Sequence, residues 1–319
     1  MEAPVTPRET FLAEGYLLIR NCLPPATTDA VRERLRAEIR QIARCRYALG
    51  QESRAGEDTS LETGLISLLG RAARINTRAW DPLLICAEVH ALFTSPCFVD
   101  ILRNLLGPEI TCQGNGHLRP MLPSPAPFPR IWPWHQDTQF YGAGVEAMAD
   151  CMVQVWLPLV DTGLEDGCLA VSAGSHRRGA LPGAPPADDN IRPSTPARQD
   201  HIRQIAADAA RRHPAHLLPM QRGDVLFFHP LLIHAATENR GDQVRWSIDM
   251  RFEATANGHF PTDGIRTAYE IMHRRLDRRG TPRFRVSGAD GPEPFSSWAS
   301  RNGLPPGGQA LRWGISHAG

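Results

Sequence analysis

Gly223-Asp224-Val225-Leu226-Phe227-Phe228-His229-Pro230-Leu231-Leu232-Ile233-His234, then Asn239-Arg240-Gly241-Asp242, then Val244-Arg245-Trp246-Ser247-Ile248-Asp249-Met250-Arg251-Phe252, is the stretch whose reading decides the fold. An apolar run from Val225 to Thr237, a Gly-containing turn and a second run of alternating character predict an antiparallel hairpin. In the returning run the even positions Trp246, Ile248, Met250 and Phe252 are apolar, and the odd positions Arg245, Ser247, Asp249 and Arg251 are polar. Successive side chains of a strand point to opposite faces, so one face packs on a core and the other meets something polar. With the turn centred between Asn239 and Arg240, His234 lies opposite Arg245, and opposed residues share a face. A shift of one residue at the turn breaks that pairing.

Working outward, Cys151 to Val160 reads as the clearest upstream strand. Its odd positions Cys151, Val153, Val155, Leu157 and Leu159 are apolar, whereas Gln154 and Trp156 stand at even positions and face a polar interior. Ile110 to Leu118 and Cys168 to Val171 read as further strands. Residues 8–23 read as a short helix and a strand. A helix capped by Thr27 or Thr28 follows, with Val31, Leu35, Ile39 and Ile42 as its apolar stripe. Helices are also expected near 60–74, 88–106, 198–212 and 264–276. The Pro- and Ala-rich stretch 178–200 and the helix after it read as an insertion or lid over about 178–218, and the last 30 residues as coil over the surface or the mouth of a site. The expected organisation is one domain, 1–319. It has a helical part to about 108, a strand-rich core over about 109–253 and a tail from 254.

Composition narrows the chemistry. The chain carries 35 Lys+Arg, 34 Asp+Glu and a net charge of +1, so nothing in it asks for a nucleic-acid or membrane partner. All the basic residues are Arg, which excludes Schiff-base, pyridoxal phosphate and Walker-loop chemistry, each of which needs Lys. Arg suits a planar carboxylate, gripped through two parallel hydrogen bonds. Seven scattered Cys with no Cys-x-x-Cys read as reduced thiols of a cytoplasmic protein. The start of the chain lacks a basic-then-apolar leader pattern. Oligomeric state is not legible.

The chemistry centres on Phe128-Pro129-Arg130-Ile131-Trp132-Pro133-Trp134-His135-Gln136-Asp137-Thr138. In an extended segment His135 and Asp137 point to one side, and an imidazole and a carboxylate two apart can meet on one divalent metal. Chance alone supplies about 0.7 His-x-Asp triplets in a chain of this composition, so the pair decides nothing by itself. His234 completes a 2-His-1-carboxylate set of the non-haem Fe(II) kind. His229 is its competitor, but has the opposite parity on the strand. Three protein ligands leave room for a chelating 2-oxoacid and O2, and Arg245 fits the far carboxylate of that co-substrate. Ser247 either adds a hydroxyl to the same carboxylate or is a plain lumen residue. Gln154 and Trp156 are candidates for co-substrate contact, and Gln136, Trp134, Phe140 and Tyr141 for the substrate wall; local packing is the alternative for each. His176 reads as a loop-ordering residue, Asp249 as the partner of an Arg, and Arg251 as structural or near the substrate.

Taken together, Trp134-His135-Gln136-Asp137, Gln154-Val155-Trp156-Leu157-Pro158-Leu159-Val160-Asp161, Glu165-Asp166-Gly167-Cys168-Leu169, Gly174-Ser175-His176-Arg177 and Gly223 to His234 resemble the phytanoyl-CoA dioxygenase family. The resemblance spans most of residues 9–253. It implies an α+β fold with a double-stranded β-helix (jelly-roll, cupin-like) core and flanking helices. It also implies Fe(II) on His135, Asp137 and His234, and 2-oxoglutarate on Arg245. Arg119, in Leu118-Arg119-Pro120, stands where members often carry Lys-Pro, and is a further candidate for substrate or co-substrate contact. An intact Asp137 speaks against the related halogenases, which have Gly or Ala there. The implied reaction couples decarboxylation of 2-oxoglutarate, giving succinate and CO2, to oxidation of a substrate C–H bond. Hydroxylation is expected, of a natural product or amino-acid-like metabolite. The alternatives are a cupin-like metal enzyme without 2-oxoglutarate, which Arg245 argues against, and a catalytically silent binding protein, which the intact ligand set argues against.

Overall fold

The computed structural model describes residues 6–48, 60–71, 73, 75–124, 133–140, 145–181, 196–255, 262–278, 283–306 and 308. In chain order the helices and strands are α1 (Pro7–Glu14), β1 (Tyr16–Ile19), α2 (Pro25–Ala48), α3 (Gly64–Leu69), α4 (Ala87–Phe93), α5 (Pro96–Leu106), β2 (Ile110–Cys112), β3 (His117–Met121), β4 (Met152–Pro158) and β5 (Leu169–Ser172). There follow α6 (Pro196–Ala210), β6 (Ala215–Leu218), β7 (Val225–Phe228), β8 (His234–Ala236), β9 (Arg245–Ala254), α7 (Asp263–Arg278), β10 (Phe284–Ser287) and α8 (Phe295–Arg301).

The strands form two antiparallel sheets. The larger has seven strands in the order β1-β7-β4-β9-β2-β10, with β3 also on β9; the smaller has the order β6-β5-β8. Trp156, Leu226 and Phe228 of the larger sheet pack with Leu169, Val171, Leu218 and Ala236 of the smaller one, so the two face each other across an interior. This is the double-stranded β-helix expected from the resemblance. The outer face of the large sheet carries Val153, Val155, Leu157, Trp246, Ile248 and Phe252 into one core with Leu35, Ile39, Phe93 and Phe98 of the helices. α1 caps itself: Thr6 and Glu9 exchange side-chain to backbone bonds in a capping box. The turn into β1 uses Gly15 at φ 79°, where a Cβ would lie 2.4 Å from His176 Nδ1.

Several expectations are corrected. Val225 to Thr237 is not one strand. β7 ends at Phe228 and the chain crosses to the smaller sheet before β8 begins. Pro230 has no N–H to offer a ladder. Instead Leu232 N–H bonds His229 O at 2.8 Å and Leu231 N–H bonds His229 Nδ1 at 3.1 Å, which closes a turn. β8 and β9 therefore do not form a hairpin: His234 stands opposite Val171 of β5, and Arg245 opposite Met121 of β3. The expected 88–106 helix is two helices, broken at Thr94-Ser95 before Pro96, and the 60–74 helix is the short α3. Ile110 to Leu118 holds β2 and the start of β3. β6, within the expected insertion, is a strand of the small sheet paired with β5. The tail is not only coil: β10 pairs with β2, and α8 buries Trp298 in the main core. Among the described residues no helix is long and apolar enough to cross a membrane.

Candidate metal and co-substrate site

His135 and His234 meet through a two-way backbone bridge, with both N–H to O distances at 3.0 Å. That bridge brings the loop before β4 onto β8 and sets the two rings 4.2 Å apart. Asp137 Oδ1 lies 3.3 Å from His135 Nε2 and 3.6 Å from His234 Nε2. The three form the single cluster of possible metal ligands among the described residues, all buried.

The donor set fits a divalent metal atom by atom. His135 Nδ1 donates to Pro133 O at 2.7 Å and His234 Nδ1 to Leu232 O at 3.0 Å, so each ring turns its Nε2 lone pair toward the shared point. Asp137 Oδ2 accepts from Arg251 at 2.6 Å, which leaves Oδ1 for the metal. Burial alone would raise the Asp137 carboxyl, but Arg251 and the two imidazoles hold it well below the usual carboxylate range. Burial and the neighbouring His135 push His234 down to about 4, so it stands neutral and ready to ligate at pH 7. His229, the competitor in the sequence, turns away: its Nε2 faces Asp150 at 3.1 Å and its ring lies 5.2 Å from His176.

A chain of alternating charge runs behind Asp137. Arg251 also bonds Asp249, and Asp249 accepts from Arg119 at 2.6 Å. Burial works against the Asp249 carboxylate, but Arg119 and Arg251 bring its carboxyl down to about 2. Arg119 is thus engaged with Asp249, and Arg251 orients the Asp137 carboxylate, the role that side-chain parity alone left undecided.

Arg245 is different. It is 2% exposed, and among the described residues no carboxylate lies within ion-pair distance of it. One guanidinium nitrogen donates to Ser247 Oγ at 2.8 Å, another approaches Met121 Sδ at 3.3 Å, and Nε has no partner. Its head lies 5.5 Å from the Trp156 ring centre, a cation–π distance. Burial, then Arg119, lowers its pKa to about 10. A buried cation without a protein counter-charge is costly, and an incoming carboxylate removes that cost. Ser247 keeps its own O–H to donate to the same anion.

The remaining sequence candidates separate. Gln154 stands opposite Arg251, the partner of Asp137. Gln136 is fully engaged as a brace: its amide bonds Gly179 O at 3.0 Å, Leu231 O at 2.7 Å and Leu181 N–H at 2.8 Å. Trp134 packs with Leu181, Ile233 and the alanines of α6. Trp132, Tyr141 and the side chain of Phe140 lie outside the described residues. His176 orders the chain as expected, by donating to Leu12 O at 3.0 Å. Gln113 and Glu253 also belong to this face and are not singled out by the sequence; the only signal is parity, Glu253 two residues from Arg251 on β9 and Gln113 beside Arg251 across the sheet.

Residues 11–247 match the family described as Phytanoyl-CoA dioxygenase (PhyH). The chain belongs to that family. A probable phytanoyl-CoA dioxygenase of Caenorhabditis elegans is 26% identical over 287 residues, covering 86% of this chain and 85% of the relative. The peroxisomal phytanoyl-CoA dioxygenase of Rattus norvegicus is 25% identical, covering 88% and 77%. An L-proline trans-4-hydroxylase of Streptomyces griseoviridis is 27% identical over 54% of this chain and 64% of its own. As a phytanoyl-CoA dioxygenase family member the chain is a 2-oxoglutarate-dependent dioxygenase that uses Fe(II).

Proposed function

We propose that this enzyme hydroxylates a C–H bond of a small molecule, a natural product or amino-acid-like metabolite, with His135, Asp137 and His234 as the Fe(II) ligands. Arg245 and Ser247 grip the far carboxylate of 2-oxoglutarate, and Trp156 forms the floor beneath it. The observation that carries this reading is Arg245, a buried guanidinium with no carboxylate within ion-pair distance among the described residues. Fe(II), when bound, supplies the chemistry that activates O2 and couples decarboxylation of 2-oxoglutarate to oxidation of the substrate. The chain's own residues orient and exclude. Pro133 O and Leu232 O fix the imidazole tautomers, Arg251 fixes the Asp137 carboxylate, and the apolar cluster between the two sheets shields the site from water. The relatives named above act on an acyl-CoA ester or a free amino acid, by their names, so we place the substrate of this chain among small molecules. Seven cysteines, none in a disulfide, suit a reducing compartment, and we place the enzyme in the cytoplasm.

Anaerobic titration of Fe(II)-loaded protein with 2-oxoglutarate tests the reading through the visible metal-to-ligand charge-transfer band. The band is expected in the wild type. Arg245→Ala is expected to weaken 2-oxoglutarate binding about 100-fold, on the order of 3 kcal/mol for a buried charge pair. Absence of the band in folded, Fe(II)-loaded wild type would overturn the co-substrate assignment.

A further inference from the structure

Resting on the reading above, we propose that Gln113 and Gln154 are the substrate-reading pair, and that the substrate presents an uncharged carbonyl, hydroxyl or amide group beside the carbon that is oxidised. The two glutamines flank Arg251 on the interior face of the large sheet. Gln154 of β4 is its cross-strand neighbour, and Gln113, the residue after β2, donates its backbone N–H to Arg251 O at 3.0 Å. Arg251 bonds Asp137, and Phe228, the other cross-strand neighbour of Gln154, has its ring 4.8 Å from that of His234. This row therefore stands at the level of the metal ligands.

Both side chains are buried, Gln113 at 0% and Gln154 at 1% exposure, yet the amide of Gln154 and the amide oxygen of Gln113 are without partners. Neither amide atom of Gln154 has a partner, and Gln113 Oε1 has none, while Gln113 Nε2 donates to Glu253 Oε2 at 2.8 Å. Buried amides are nearly always paired, and an orphan costs the full desolvation of the group. One orphaned amide and one orphaned amide oxygen, both flanking the partner of Asp137, mark a place where a bound molecule completes the bonding.

Charge decides the class of that molecule. Around the row, Arg119, Asp249, Arg251 and Asp137 alternate in sign and neutralise one another. Glu253 is held by Gln113 and by His273 at 2.7 Å. Burial raises its carboxyl to about 8, so it adds no fixed anion at neutral pH. The anion site is Arg245, six residues before Arg251 on β9. What the row has left to offer is a neutral acceptor and a neutral donor, which suit a dipole and reject a bare hydrocarbon or a free carboxylate.

The experiment compares wild type with Gln154→Met and Gln113→Met by three readouts. In the apoprotein, Gln154→Met is expected to raise Tm by about 2 °C, because a near-isosteric apolar group replaces an orphan amide. A fall in Tm would show the amide to be bonded in the resting fold and would overturn the proposal. In the anaerobic titration both variants are expected to keep the 2-oxoglutarate Kd within about twofold of wild type; a loss of about tenfold or more would assign the amide to the co-substrate instead. Among compounds that raise wild-type succinate release above the substrate-free rate, the variants are expected to raise KM about tenfold, with kcat much less changed. Replacing the neutral polar group of such a compound by a methylene should cost the wild type that same factor and the Gln154→Met variant little. Equal use of both compounds by the wild type would overturn the substrate class. Failure of the wild type to give a charge-transfer band counts against the co-substrate reading alone, since the apoprotein comparison does not depend on it.

Discussion

The two faces of β9 are equally buried and chemically opposite. Trp246, Ile248, Met250 and Phe252 point outward into the helical layer, where Trp246 meets Trp80 edge-on at 4.9 Å and Phe252 packs against Phe93 and Phe98 at 5.3 and 5.2 Å. Arg245, Ser247, Asp249, Arg251 and Glu253 point inward to the site. On the outer face, burial of apolar area stabilises the fold directly. On the inner face, burial is tolerated because each charge is matched, apart from Arg245, which has no ion pair among the described residues and is the proposed anion site. One strand thus serves as the floor of a core and the wall of an active site, and the two duties can be broken separately.

The strongest break is at the metal. Asp137→Ala is expected to lower turnover by more than the roughly 100-fold that loss of an outer supporting partner causes, while thermal unfolding shows the fold retained; iron content and succinate release check both halves. Next is the outer face. Trp246→Ala is expected to cost about 3–5 kcal/mol in urea unfolding but to leave 2-oxoglutarate affinity near wild type well below Tm, because the indole touches Trp80 and Leu61 O and not the site. Arg251→Met joins the two effects: Asp137 loses its orienting partner, and Fe(II) affinity should fall about 10- to 100-fold by equilibrium dialysis.

The pH dependence of stability is the most diagnostic of the inner face. Burial, opposed by Gln113 and Arg283, raises the Glu253 carboxyl from 4.5 to about 8. The folded state then holds a proton that the unfolded state releases. The wild type should therefore lose stability as pH rises from about 4.5 to about 8, on the order of 1 kcal/mol per unit, with no further change above that window. Glu253→Gln removes the titration. Unfolding curves across that range should diverge in favour of the variant as pH rises, and parallel curves would show Glu253 to be solvated.

Much of this was legible beforehand because it depends on local periodicity. Alternation along β9 and β4 set Trp246 apart from Arg245, and Val155 apart from Trp156, as the structure bears out. The pairing of strands was another matter. The turn at Asn239-Arg240-Gly241-Asp242 suggested a hairpin, and local patterning has no means of showing that Pro230 and the His229 turn send the chain to the second sheet. The tail shows the same limit. Its polar composition concealed β10 and α8, since one strand four residues long and one buried Trp298 suffice to dock it. Gln136 and Trp134, adjacent in sequence to the ligands, turn to bracing and packing because side-chain direction in an irregular loop follows no period.

By itself the sequence determined which side chains were chemically able to do the work: two imidazoles and a carboxylate for a metal, an Arg-only set of cations, and strands with one apolar and one polar face. Only the tertiary structure decided which of them meet. The convergence of His135, Asp137 and His234, the Arg119–Asp249–Arg251–Asp137 chain and the isolation of Arg245 all depend on sheet pairing between segments distant in sequence. The physical reason is range. Backbone periodicity acts over a few residues, whereas an ion pair or a shared ligand point depends on distances of a few ångströms between strands far apart along the chain.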